Sequence, residues 1–250
     1  MHSIDAFCMN IAPNRRALIT GASTGIGRAT ALAFAQAGFD VALVSRSLDK
    51  LQILADEISA IAPVKAQSFP IDLGVIEQVR EQVEGILETF GPVDVLVNNA
   101  GMGYTGALNQ MPLADWCQVI DLNVTSVFQC IQAVLPGMRE RSSGMIINVA
   151  SIAARQAFPE WGAYGISKAA VVALSKAISV EEREHGIRVV TILPGAVNTP
   201  LWDTDTVQAD FDRSGMLTPD LVANAILQTA LLPPGAVVEE LTIMPSGGAL

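Results

Sequence analysis

Tyr164 and Lys168 stand four residues apart in a segment with helical period, so both project from one face and can meet at one site. A phenol beside an ammonium is expected to have a lowered pKa, which suits a group that gives and takes a proton near neutral pH. The same pair could be a surface tyrosine next to a solvated lysine. Ser151 follows directly on the apolar run Met145–Val149, which places a hydroxyl at the carboxyl end of a strand. Ligands of open α/β sheets bind there, although an isolated serine could equally cap a turn. A third signal lies near the other end of the chain, in Thr20-Gly21-Ala22-Ser23-Thr24-Gly25-Ile26-Gly27. Glycines between a strand and a helix let the backbone approach a pyrophosphate, and the helix start offers free N–H groups at its positive end. The spacing is GxxxGxG rather than GxGxxG, and a tight turn with no ligand has the same look.

These residues need a scaffold, and the chain alternates strand-like and helix-like patterns throughout. Short aliphatic or β-branched runs fall at Arg16–Thr20, Asp40–Ser45, Val64–Pro70, Val93–Val97, Met145–Val149, Ile187–Leu193 and Leu241–Met244. Helical period marks Gly25–Ala37, Leu48–Ile61, Val75–Phe90, Ala114–Met138, Trp161–His185 and Thr218–Leu231. Alternation of this kind predicts parallel strands joined by right-handed crossover helices. The strands are continuously apolar, as a sheet covered on both faces requires. The expected fold is a single-domain, doubly wound α/β sheet of Rossmann type over residues 15–250, preceded by a loose extension over 1–14. The least regular stretch, Ala196–Gly215, predicts a substrate lid.

Composition narrows the function classes. Half of the 250 residues are apolar and 16% are charged, which excludes a disordered chain. A net charge of -10 argues against nucleic acid as a partner. Cys8, Cys117 and Cys130 show no metal or disulfide spacing, so no metal is expected and a reducing cytoplasm is the default compartment. No signal peptide is expected, since Asp5 interrupts the first apolar stretch. The uncharged run Val95–Ala114 is long enough to span a bilayer, but Asn98, Asn99, Asn109, Gln110 and Pro112 would strand polar groups in lipid. No membrane segment is predicted. With two histidines, a Ser-His-Asp hydrolase is hard to build, and His185 reads as a helix C-terminal cation rather than a ligand. Glu181, Glu182 and Glu184 read as a solvated helix face.

Taken in order, the motifs resemble those of the short-chain dehydrogenase/reductase family, in its short single-domain form. Besides the glycine turn and YxxxK, the chain carries Asn98-Asn99-Ala100-Gly101 after the fourth strand, like the family's NNAG. It also carries Asn123 at the helix asparagine position, Ser151 thirteen residues before Tyr164, and Pro194-Gly195-Ala196-Val197-Asn198-Thr199, like PGxVxT. The resemblance runs from Arg16 to about Leu232. It implies a nicotinamide oxidoreductase acting on a small carbonyl or alcohol substrate. Tyr164 would exchange the proton with the substrate oxygen, Ser151 would hydrogen-bond that oxygen, and Lys168 would bind the nicotinamide ribose and favour tyrosinate. Asn123 would hold a water linking Lys168 to solvent. Gly21, Ser23, Thr24, Gly25, Ile26 and Gly27 would hold the pyrophosphate, and Asp72 and Leu73 would border the adenine. Asn98, Ala100, Gly101 and Val197 would line the cofactor cleft, with Pro194, Gly195 and Thr199 closing over the nicotinamide.

The cofactor type is argued from the end of the second strand. An NAD site needs a carboxylate there, about 20 residues after the glycine turn, for the adenosine ribose. Ser45 stands in that slot and Arg46 follows with a fork of donors suited to a 2′-phosphate, so NADP(H) is predicted; a solvated arginine is the plainer alternative. The helices Ala114–Met138 and Trp161–His185 are apolar on more than one face, through Val127, Phe128, Ile131, Val171, Val172 and Ile178. With the resemblance, this predicts a homodimer or homotetramer. Asp203, Asp205, Asp210 and Asp212 against Arg213 predict a lid that repels polyanions. Trp161 could edge the substrate pocket or pack in the core. The competing functions are a 3-oxoacyl carrier-protein reductase, against which the tail Glu239–Pro245 speaks, and a non-catalytic NADP(H) sensor. Substrate choice resides in 102–110, 152–160 and 202–215, whose conformations the sequence does not fix.

Overall fold

The computed structural model describes residues 15–209 and 212–248. The predicted extension over 1–14, with Cys8, and the lid residue Asp210 lie outside them. Seven strands form one sheet: β1 (Arg16–Thr20), β2 (Asp40–Ser45), β3 (Ala66–Pro70), β4 (Val95–Asn98), β5 (Gly144–Val149), β6 (Ile187–Pro194) and β7 (Glu240–Ile243). All pairings are parallel, in the order β3-β2-β1-β4-β5-β6-β7. Strand order reverses between β1 and β4, so a crevice opens there at the carboxyl edge.

Strand residues alternate between two cores. Ala17 and Ile19 of β1, Val95 and Val97 of β4, and Met145 and Ile147 of β5 face α1 (Gly25–Gln36), α2 (Leu48–Ile61) and α7 (Pro219–Ala230). Leu18, Leu96 and Ile146, from the same strands, face α3 (Ile76–Phe90), α5 (Ser126–Glu140) and α6 (Gly162–Glu182). Because both faces are covered, successive residues are all apolar, and the continuous runs in the sequence follow. The edges differ: β3 is half-buried up to its exposed last residue, Pro70, and β7 alternates in exposure and starts with the charged Glu240. Helix α7 starts where its sequence directs, with Thr218 accepting from Leu221 N–H at 3.4 Å and Pro219 in the first turn.

Two expectations fail in this layer. The predicted single helix Ala114–Met138 is divided into α4 (Leu113–Ile120), a π-helical turn (Asp121–Thr125) and α5. Side-chain ties at Asn123, described below, hold the widened turn. Glu182 is not on a solvated face: it is 1% exposed and takes a two-pronged ion pair from Arg139, with the Nε arm at 2.7 Å. The pair links α5 to α6, and Arg139 holds the Glu182 carboxyl below its usual range. Leu113–Glu140, π turn included, and Gly162–His185 are long and apolar enough to cross a membrane by length and composition. Each nonetheless lays one side on the sheet, through Val134 and Met138 in one and Ile178 in the other.

Candidate active site

The glycine turn sits at the carboxyl end of β1, beside the crevice. Gly21 has φ of +66°, which an L side chain rarely adopts. A Cβ on Gly27 would lie 2.2 Å from the Gly21 carbonyl oxygen and 2.5 Å from Asn99 Nδ2, so the fold of the turn requires glycine there. Thr20 and Asn99 lock the turn to β4. Thr20 Oγ1 accepts from the N–H groups of Asn99 and Ala100, each at 3.0 Å, and Asn99 Nδ2 donates to Thr20 O at 3.0 Å. Thr20 and Asn99 stand within the two glycine motifs, TGxxxGIG and NNAG, and that position is the signal in the sequence for their part in the turn. Ser23, Thr24, Gly25 and Ile26 are half-buried around the start of α1, where no Thr24 side-chain cap occupies the first N–H groups. Thr199 faces the turn from the loop after β6, its methyl carbon 3.1 Å from where a Gly25 Cβ would be.

Across the crevice, α6 carries Tyr164 and Lys168 on one face. Lys168 is 5% exposed; its Nζ donates to Val149 O at 3.0 Å and lies 5.7 Å from the Tyr164 ring centroid. Burial pushes the Lys168 ammonium down to about 8. Burial also raises the Tyr164 phenol, and its hydrogen bond with Ser151 partly offsets that rise. The expected lowering by lysine is therefore overturned: desolvation outweighs an ammonium that is aimed at Val149. Ser151 Oγ accepts from Ala153 N–H at 3.1 Å, which fixes the hydroxyl at the end of β5.

Asn123 is fully buried in the π-helical turn. Its Oδ1 accepts from Met102 N–H at 2.8 Å, and its Nδ2 donates to Met102 O and to Ser167 Oγ, both at 3.0 Å. Ser167 in turn donates to Tyr164 O at 2.7 Å. The amide thus ties the loop after β4 to α6, and the main chain of the widened turn is what remains for a water. Gly101 brings the loop close, since a Cβ there would lie 3.3 Å from Lys168 Nζ and 3.1 Å from Asn123 Oδ1.

Other predicted cofactor contacts are sorted by what their side chains touch. Ser45 Oγ accepts from Ser47 N–H at 3.3 Å. Arg46 is exposed and takes part in no side-chain hydrogen bond or ion pair among the described residues. Asp72 is exposed and accepts from Gly74 N–H at 2.9 Å, whereas Leu73 is 4% exposed in the core under α3, so only its backbone can border a ligand. Asn98 likewise offers only backbone: its side chain donates to Asn148 at 2.8 Å, and Asn148 donates to Ser175 on α6 at 2.9 Å. Pro194 ends β6, Gly195 N–H donates to Ile243 O at 2.8 Å, and Val197 bridges to Leu217.

The stretch expected to form a lid is stitched to the loop after β4. Thr206 Oγ1 donates to Gly103 O at 2.7 Å, Thr105 N–H to Thr206 O at 2.9 Å, and Gln208 N–H to Thr105 Oγ1 at 2.7 Å. Its acidic run is partly compensated, because Arg213 pairs with Asp203 at 2.6 Å and Asp212 caps Ser214. Trp161 stacks edge-on between Tyr164 and Trp202, with centroids 5.3 and 5.5 Å away. The sequence marked Trp202 only as the start of a stretch expected to set substrate choice, since only the fold brings it to Trp161.

Residues 15–209 match the family model described as short chain dehydrogenase. A 3-oxoacyl-[acyl-carrier-protein] reductase of Staphylococcus epidermidis is 40% identical over 74% of this chain and 75% of its own. An alcohol dehydrogenase from the archaeon Thermococcus sibiricus, solved with 5-hydroxy-NADP, superimposes with a TM-score of 0.85 at 32% identity, over 93% of this chain and 97% of its own. L-sorbose reductase from Gluconobacter frateurii, solved with NADPH and L-sorbose, gives 0.84 at 29% identity, over 93% and 96%. The chain is therefore an oxidoreductase that belongs to the short-chain dehydrogenase/reductase family.

Proposed function

We propose that this protein interconverts a ketone or aldehyde and an alcohol with NADP(H). The observation that carries the reading is Tyr164, half-buried and hydrogen-bonded to the buried Ser151 beside Lys168, across a crevice from a glycine cradle that a Cβ on Gly27 would fill. The residues fit a nicotinamide dinucleotide. The Gly21–Gly27 turn and the α1 N-terminus suit the pyrophosphate, and Lys168 stands where a ribose hydroxyl could take its donors. Bound, the nicotinamide supplies or accepts the hydride. The chain's own residues handle the proton. Ser151 and Tyr164 hold the substrate oxygen, Tyr164 gives it a proton as the alcohol forms, and the Lys168 charge stabilises the tyrosinate left behind. Asn123 acts by holding the β4 loop against this set, with a water on the adjacent main chain as the relay towards solvent.

NADP(H) rather than NAD(H) is favoured by Ser45 in place of a carboxylate and by the uncommitted Arg46 next to it. Solved relatives with NADP bound add support. Asp72, Asn98, Ala100, Gly101, Pro194, Gly195, Val197 and Thr199 complete the proposed cofactor cleft, several through backbone alone. The lid over 196–215 would close on the substrate. The exposed Phe128 on α5 and Ile166 and Val180 on α6, at 40%, 44% and 70% exposure, favour a homodimer or homotetramer through these helices. A reducing cytoplasm is the proposed compartment, in keeping with the free thiols of Cys117 and Cys130.

The competing reading, reduction of a 3-oxoacyl carrier-protein thioester, is favoured by the 40% identical relative. Following nicotinamide absorbance with NADPH, with NADH, and with a panel of ketones and thioesters tests the reading. Turnover that needs NADPH and is abolished in Tyr164→Phe is expected. Binding of NADPH with no turnover of any carbonyl would leave a sensor.

A further inference from the structure

We propose that Thr105 and Thr206 are positioning residues for the carbonyl chemistry, their hydroxyls clasping the segment 204–208 onto the loop after β4 and so fixing one wall of the substrate cleft. The proposal rests on the reading that Tyr164 and Ser151 hold the reacting oxygen, and it names the groups that hold the wall beside them. Thr206 Oγ1 donates to Gly103 O at 2.7 Å, across 103 residues of sequence, and Thr105 Oγ1 accepts from Gln208 N–H at 2.7 Å. Each hydroxyl thus satisfies a backbone group of the opposite segment. A backbone bond from Thr105 N–H to Thr206 O at 2.9 Å joins the same two segments. Val207 is buried in this seam, and a Cβ on Gly103 would lie 2.7 Å from its methyl carbon, so a side chain there would hold the segments apart.

The clasp bears on the site through both ends of the loop. At the inner end, Met102 exchanges two hydrogen bonds with Asn123, and a Cβ on Gly101 would lie 3.3 Å from Lys168 Nζ. At the outer end, Gly106 N–H donates to Glu160 O at 2.8 Å, one residue before the Trp161 that packs on Tyr164. Between these points the loop is fastened sideways, by Tyr104 to Asp115 on α4 and by the two threonines to the segment 204–208. The threonine ties are within reach of water: Thr105 and Thr206 are half-buried, and Thr204, Asp205 and Gln208 are exposed. A hydrogen bond that water can replace adds little net free energy, so the docked and undocked seams are close in stability. Substrate binding then draws on the docked population, and losing a hydroxyl weakens binding rather than chemistry. Both hydroxyls are spent on backbone groups, which leaves proton transfer to Ser151, Tyr164 and Lys168.

The test measures kcat and KM with saturating NADPH for acetophenone, hydroxyacetone and ethyl acetoacetate, in the native protein and in Thr105→Val, Thr206→Val, Thr105→Ser and Thr206→Ser. Valine keeps the shape of threonine and removes the hydroxyl, whereas serine keeps the hydroxyl. For each ketone that the native protein reduces, either valine variant should raise KM by about three- to tenfold and change kcat by less than about twofold. The serine variants should stay within about twofold of the native KM. The pH dependence of kcat should not move, since the proton-transfer set is untouched. Amide hydrogen exchange, read without substrate, should quicken over 102–106 and 204–208 in the valine variants and return towards native rates with serine. Two independent sites guard against one variant that misfolds. A KM unmoved in both valine variants, a KM rise that serine shares, or native exchange rates in both valine variants overturns the inference while Tyr164-dependent ketone reduction still stands. Failure of the native protein to reduce any carbonyl overturns the inference and the proposed reductase function together.

Discussion

The glycine turn and the proposed catalytic cleft face each other across the same crevice, and the fold treats them in opposite ways. In the turn, Thr20 and Asn99 satisfy one another and the neighbouring backbone, and the glycines are there because no side chain fits. The cleft instead holds groups that water would solvate better. Burial raises the Tyr164 phenol and brings Lys168 down to about 8, and both shifts signal desolvated groups. The proposed phosphate cradle is therefore part of what stabilises the protein, while the proposed proton-transfer set is carried at a cost to stability that the sheet and its two cores offset.

This contrast can be broken or sharpened by substitution. Tyr164→Phe should lower kcat by about 10²–10⁴ and leave thermal stability and NADPH affinity intact. A variant keeping more than a tenth of native turnover on every substrate would remove Tyr164 from the chemistry. Gly27→Ala should do the converse, weakening fold and cofactor affinity together, because its Cβ would sit 2.2 Å from a backbone oxygen. A loss of roughly 1–3 kcal/mol in denaturant unfolding is expected, and an unchanged midpoint would show that the turn can relax.

Lys168→Met should lower activity yet stabilise the protein at pH 7. The folded state disfavours the ammonium, so native stability rises as pH climbs from about 8 towards the ordinary lysine range, where the burden on the charged form disappears. The variant lacks that slope. Its advantage should be on the order of 1–3 kcal/mol below pH 8 and fade by about pH 10. Urea melts at pH 7 and pH 10 check both the sign and the window. The smallest effect is expected at the outer end of the cradle. Native preference for NADPH over NADH should be at least about tenfold in kcat/KM, equivalent to about 1.4 kcal/mol. The pair Ser45→Asp and Arg46→Leu should reverse it, and a native protein that works equally well with NADH would undo the assignment of Arg46.

Much of the scaffold was legible in the chain because periodicity is a local property. Continuous apolar runs and 3.6-residue patterns placed every strand and most helices within a residue or two. The glycine turn and YxxxK spacing were readable for the same reason, since each is set within one loop or one helical turn. What the sequence determined, then, was the parallel sheet, the edge of it that carries the site, and the residue types that could do chemistry there. The tertiary structure decided how each side chain is spent, because its partners come from distant segments. Asn123 is engaged by Met102 and Ser167, 21 and 44 residues away, and that engagement accompanies a π-helical turn where the pattern predicted a plain helix. Asn98 is drawn to Asn148 and Leu73 into the core, so both present backbone rather than side chain to the cleft. Glu182 is buried because Arg139 of another helix reaches it, and Trp202 stands by Trp161 because the stretch after β6 docks on the β4 loop. The Tyr164 phenol follows the same logic: spacing placed a lysine nearby, but desolvation, a property of everything packed around the ring, set the direction of its shift.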